Sequence, residues 1–135
     1  MTVNFVNLCP HALRLRTNVA NKVAEADPTD IVVEPRRNAD GKPDSARVST
    51  TPGGKQADVG GVAAYGPTTY GEVEGLPAPE QDTVYLVSAL VAGRPAVVGR
   101  TDVFVPGTGP NDGAVRYADG PQKGQVYAVT RLVQA

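Results

Sequence analysis

The run DTVYLVSALV, residues 82–91, is the most apolar stretch of the chain and decides its fold class. A run of this length fits a buried strand to Val87 that passes into a short turn or helix over Ser88 to Gly93. The chain has no Trp and only two Phe, so its core must consist mainly of Val and Leu. Because branching at Cβ suits a pleated sheet, this composition predicts strands.

Further strand candidates lie on both sides of this run, separated by turns that contain Gly and Pro. They are Val3–Leu8, His11–Thr17, Asp30–Glu34, Ala46–Thr51, Val62–Tyr65, Tyr70–Glu74, Val97–Val105, Ala114–Tyr117 and Gln125–Val133. The first two are expected to form a hairpin across Cys9-Pro10, and the last two a closing hairpin. Residues 35–60 look rich in loops, with only the strand from Ala46 inside them.

This pattern predicts an all-β fold. With 135 residues the chain forms one domain, 1–135. About seven to nine short strands favour a β-barrel or sandwich with at most one short helix.

The charge balance excludes several functional classes. Lys plus Arg number 13 and Asp plus Glu 14, giving a net charge of −1, so we expect no binding to duplex nucleic acid. No run is long and apolar enough to cross a membrane as a helix. The N-terminus does not resemble a secretory signal, and a single cysteine fits a reducing compartment, so we expect a cytoplasmic protein.

Established motifs for nucleophiles, metals or nucleotides are absent from the sequence. One His and one Cys cannot build a metal cage, so we expect neither metal nor cofactor. Candidate site residues are therefore polar side chains near strand ends, where loops admit ligands. For ligand binding they are Asn7, His11, Arg47, Ser88, Arg100 and Asp102, of which His11, Ser88 and Asp102 are also catalytic candidates.

Each candidate also has a structural interpretation. Asn7 and His11 are suited to fixing the turn at Pro10, and Ser88 to capping a helix. Arg100 and Asp102 lie two residues apart on a strand, so they share a face and suit a local ion pair as well as a ligand. Two further candidates are weaker. Glu72 could act as a base, but a carboxylate on an exposed strand commonly serves only solubility. Cys9 could act as a nucleophile beside His11, but a small, partly buried thiol is the structural interpretation.

The chain resembles a family of small proteins found in bacteriophages and in bacteria, especially actinobacteria. The resemblance lies in Asn7-Leu8-Cys9-Pro10-His11, Gly75-Leu76-Pro77, Val87-Ser88-Ala89-Leu90-Val91, Arg100-Thr101-Asp102 with Pro106, and the closing segment from Arg116 to Val133. Cys9 stands where the family pattern, Asn-Leu-Thr-Pro-His, has Thr. The resemblance brings no activity with it. It implies a phage-related or accessory context, and one constellation of His11, Ser88, Arg100 and Asp102.

Three functions fit these observations. The favoured one is a binding module for a small anionic or nucleotide-like ligand at the mouth of a β-barrel. The second is a small hydrolase or lyase with His11 as acid or base. The third is a structural or assembly module that forms homo-oligomers through an edge strand, with Gln125–Val133 as the expected edge.

Overall fold

The computed structural model describes residues 2–135 and contains, within that range, twelve short strands and one helical turn. The elements in chain order are β1 (Asn4–Asn7), β2 (Leu13–Leu15), β3 (Ile31–Val33), β4 (Arg47–Thr51), β5 (Lys55–Val59), β6 (Val62–Tyr65), β7 (Thr69–Glu74), β8 (Thr83–Leu86), α1 (Ala89–Ala92), β9 (Val103–Pro106), β10 (Val115–Arg116), β11 (Val126–Ala128) and β12 (Leu132–Gln134). The all-β class with one short helix is confirmed.

The central sheet has four strands in the order β1-β8-β9-β12. The first three are parallel, with Asn7 opposite Leu86 and Leu86 opposite Phe104, and β12 runs antiparallel to β9. The sheet is open at β1 and β12, so it does not close into a barrel. More strands are present than expected, since the closing segment divides into β11 and β12 and since β5 was not expected.

Both faces of the central sheet are covered, which explains the unbroken apolar run at its middle. On one face, Tyr85 and Val87 pack with Leu8, Val91 and Val103. On the other face, Leu86 packs with Leu15, Val129, Phe5 and Phe104. The predicted change from a strand to a short helix within residues 82–93 is confirmed. Ser88 is the N-cap of α1: its hydroxyl accepts a 3.4 Å hydrogen bond from the Val91 amide.

The expected opening hairpin is wrong. β1 pairs with β8 in parallel, and β2 pairs antiparallel with β3. The physical reason is that Asn7 closes the turn at Pro10 with its own side chain, while the buried Leu8 donates its amide to the Leu86 carbonyl 2.8 Å away. The first strand thus enters the middle of the core instead of folding back on its neighbour.

Within residues 35–60 the expected strand Ala46–Thr51 is confirmed as β4, whereas the expectation of loops is wrong for residues 55–59, which form β5. β4 pairs with β7, and β5 pairs with β6, so residues 47–74 form one long hairpin, which we call the β-arm. β5 escaped prediction because its sequence, KQADV, has only one large apolar residue, Val59. The two halves of the β-arm join at Gly53, where an added Cβ would collide with the backbone of Gly66.

Among residues 2–135, no helix combines the length and the apolar character that crossing a bilayer would need.

Candidate functional site

Asn7 acts as a structural clamp. It is 1% exposed, and its amide nitrogen donates to the carbonyls of His11, at 2.7 Å, and Val33, at 3.0 Å. Its side-chain oxygen accepts from the Cys9 amide at 2.8 Å. These bonds use both donors of the amide and one lone pair of its oxygen, so little of the side chain is left for a ligand.

Two other candidates, His11 and Cys9, belong to the same Asn7-Leu8-Cys9-Pro10-His11 motif but are less buried than Asn7. His11 is exposed, and it is the backbone carbonyl of His11, not its ring, that Asn7 holds. Cys9 is partly buried, and desolvation raises the pKa of its thiol. A raised pKa disfavours the thiolate, which argues against Cys9 as a nucleophile.

Arg100 and Asp102 form an ion pair, but the expected strand Val97–Val105 is wrong over residues 97–102: the pair lies in the turn before β9, which begins at Val103. The Arg100 Nε and Nη2 atoms donate to the two Asp102 oxygens at 2.9 and 2.7 Å, and Nη2 also donates to the Pro77 carbonyl at 3.1 Å. Hydrogen bonding from Arg100 lowers the pKa of the Asp102 carboxyl. The pair fastens the Gly75-Leu76-Pro77 turn to the start of β9.

The sheet topology does not gather the candidates in one place. His11 and Ser88 follow β1 and β8, which places them beyond the carboxyl ends of two parallel strands. Arg100 and Asp102 precede β9, which is parallel to β8, so they lie at the amino ends. Ligand binding by these residues stays a prediction, and the topology does not favour a single constellation.

Arg47 lies on the β-arm, where it pairs with Glu74 at 3.4 Å; both side chains are more than half exposed. Glu72 lies on the same arm and lines a cleft of about 670 Å³ together with Tyr70 and Arg94. The Arg94 guanidinium lies 3.8 Å from the centre of the Tyr70 ring, a cation–π contact between the arm and the segment after α1.

Sequence reasoning missed a buried ion pair. The Arg16 side chain is 0% exposed and that of Asp30 is 2% exposed, and Arg16 Nε lies 3.0 Å from Asp30 Oδ1. Arg14 and Arg16 are two residues apart, so alternation along an extended chain gives them the same face. Both arginines do turn the same way, since both bind Asp30, but the segment before Asp30 folds over Arg16 and buries it.

The β-arm is the least buried regular structure of the described chain. Every residue of β5 is exposed, and so are three of the four in β6. At the tip, Val59 is 66% and Val62 69% exposed, and Tyr65, opposite Lys55 at the inner end of β6, is 65% exposed. At the base, Val48 and Val73 pack against the core. The β-arm is therefore anchored at one end and bare at the other.

The fold and this feature define a small all-β protein with a projecting two-stranded arm. Comparison with known proteins adds no family: no family model, curated protein or solved structure matches the chain. Within residues 2–135, no group of three or more His, Cys, Asp or Glu side chains is placed to hold a metal ion.

Proposed function

We propose that the protein is an assembly module that associates with further copies of itself through the β-arm. The observation that supports this most is the bare outer half of the arm, β5 and β6, with its exposed Val59, Val62 and Tyr65. An isolated two-stranded hairpin is only marginally stable in water. A projection of this kind gains stability when another chain covers it.

The edges of the β-arm support the same function. Within residues 2–135, β5 has β6 as its strand neighbour and nothing on its other side. An unpaired edge offers backbone amides and carbonyls in a row, which is a template for pairing with another chain. The edge expected from the sequence, Gln125–Val133, is also a sheet edge, but it is more buried: two of the six residues in β11 and β12 are exposed, whereas all five of β5 are.

Sedimentation velocity tests this function. We expect the wild-type chain to associate, and the double variant Val59→Asp/Val62→Asp to sediment as a monomer, because two carboxylates replace the apolar surface of the tip. The matched control is Val23→Asp/Val98→Asp, which adds the same charge at valines 56% and 61% exposed on the body of the protein. A wild-type chain that stays monomeric at high concentration would refute the proposal.

A second candidate is the binding of a small planar anion beside Tyr70 and Arg94. Only the Nε atom of Arg94 donates a hydrogen bond within residues 2–135, to the Leu90 carbonyl at 3.2 Å. Its two terminal nitrogens remain available as a bidentate fork over an aromatic ring. We expect a nucleotide or carboxylate from a metabolite panel to raise the melting temperature, and Arg94→Ala to abolish the shift. A panel without effect at millimolar concentration counts against this candidate.

A further inference from the structure

An apolar cleft lies on the face of the central sheet that β2 covers. Its walls include Phe5, Leu15, Ile31, Val129 and Leu132, and its volume is about 330 Å³. For comparison, an apolar cavity of roughly 150 Å³ accommodates a benzene ring. The cleft therefore has room for more than one branched aliphatic side chain.

The tip of the β-arm carries two such side chains. Val59 and Val62 are register partners on either side of Gly60-Gly61, whose φ angles of +59° and +85° form the tight turn. Directly opposed residues on paired strands project from the same face. The two isopropyl groups thus form one apolar knob. Both valines are exposed in the single chain, so the knob does not fill the cleft of its own chain.

The charges beside the knob and the cleft are complementary. Asp58 precedes Val59, so its side chain leaves the other face of the hairpin next to the knob, where it is 61% exposed beside Lys55. Arg131 lines the cleft, its side chain is 57% exposed, and its nearest carboxylate oxygen, on Asp112, is 3.9 Å away. Exchange of these two surface pairs for a pair between Asp58 and Arg131 costs little, because exposed ion pairs are weak.

We infer that the arm tip of one copy inserts Val59 and Val62 into this cleft of a second copy. The inference rests on the proposed function and names the surface that receives the arm. An interface that joins two different surfaces of the same protein is heterologous, so it propagates around a ring or along an open chain of subunits.

Disulfide trapping tests the inference. In a Cys9→Ser background, one chain carries Val62→Cys at the tip and another carries Val19→Cys at the cleft. We expect the mixture to form the mixed disulfide about tenfold faster than a mixture of V62C with V98C, because docking raises the local concentration of the two thiols. Val98 is a matched control, since it is 61% exposed and Val19 is 55% exposed.

The other outcomes separate the inference from the proposed function. Equal rates for V19C and V98C, in a wild-type protein that associates, overturn the inference and leave arm-mediated assembly in place. Disulfides that form mainly between two V62C chains also overturn the inference and leave arm-mediated assembly in place, because they show that the arms pair with each other. A wild-type chain that sediments as a monomer overturns both.

Discussion

Arg16 and Asp30 form an ion pair that is shielded from solvent, with the Arg16 Nε and Nη2 atoms each 3.0 Å from a different Asp30 oxygen. The remaining donors of Arg16 bind the carbonyls of Asn21, Val23 and Glu25. One guanidinium therefore organises the segment between β2 and β3, whose two valines, Val19 and Val23, are exposed and do not pack in the core.

Replacement of Asp30 tests this role. Asp30→Asn leaves the buried Arg16 charge without its counter-ion, so we expect a clear fall in the urea midpoint at neutral pH. Asp58→Asn is the matched control, because it removes an exposed partner of Lys55 and should leave the midpoint unchanged. Equal midpoints for the two variants would show that the pair contributes nothing.

The same carboxylates predict how stability depends on pH. Hydrogen bonds from Arg16 hold the pKa of Asp30 far below its usual value, and those from Thr29 and Asn21 lower the pKa of Asp27 to about 2. A carboxyl with a lowered pKa in the folded state stabilises it above the unfolded pKa of 3.8, and this contribution is lost as the pH falls through the folded value. We expect a constant urea midpoint from pH 7 to about 5 and a steep fall between about 4 and 2.

Asp30→Asn should flatten this fall, because it removes the most strongly shifted of the two groups. The difference in urea midpoint between wild type and Asp30→Asn should therefore become smaller as the pH drops. A difference in urea midpoint that grows towards low pH would contradict the stabilising role of the Asp30 carboxylate.

Variants in the opening motif separate structure from function. Asn7→Ala leaves the Cys9 amide and two carbonyls without their partner, so we expect it to lose at least about 2 kcal/mol of unfolding free energy. His11→Ala removes an exposed ring and should change that free energy by less than about 0.5 kcal/mol. Urea denaturation measures both, and a large loss for His11→Ala would show that its ring holds the fold.

Shortening the β-arm should spare the fold. Thr51 and Thr69 are register partners, so an Asn-Gly turn in place of residues 52–68 can close the remaining hairpin. The residues removed are mostly exposed, whereas Val48 and Val73 keep the base packed. In dilute solution we expect the unfolding free energy to change by less than about 1 kcal/mol. Loss of cooperative unfolding would show that the outer arm supports the core.

The elements that the sequence predicts well are those with a local cause. Residues 84–87 form an unbroken apolar run because both faces of β8 are buried, and Ser88 marks the change to α1 through its capping hydroxyl. The strands 62–65 and 70–74 lie between Gly and Pro turns and are confirmed as β6 and, starting one residue earlier, β7.

The features that escaped prediction depend on distant partners. The parallel pairing of β1 with β8 joins segments far apart in the chain, and no local pattern specifies it. The burial of Arg16 depends on carbonyls that the following segment supplies only once it has folded. Arg100 and Asp102 do form a pair, but in a turn and not on the expected strand, and the separation of that pair from His11 follows from strand direction.

Hydrogen exchange at the amides of β5 and β6, followed as a function of protein concentration, tests the central proposal most directly. If the β-arm is the assembly element, these amides exchange quickly in dilute solution and become protected as the concentration rises, while those of β8 stay protected throughout. Exchange in β5 and β6 that is fast at every concentration would contradict arm-mediated assembly.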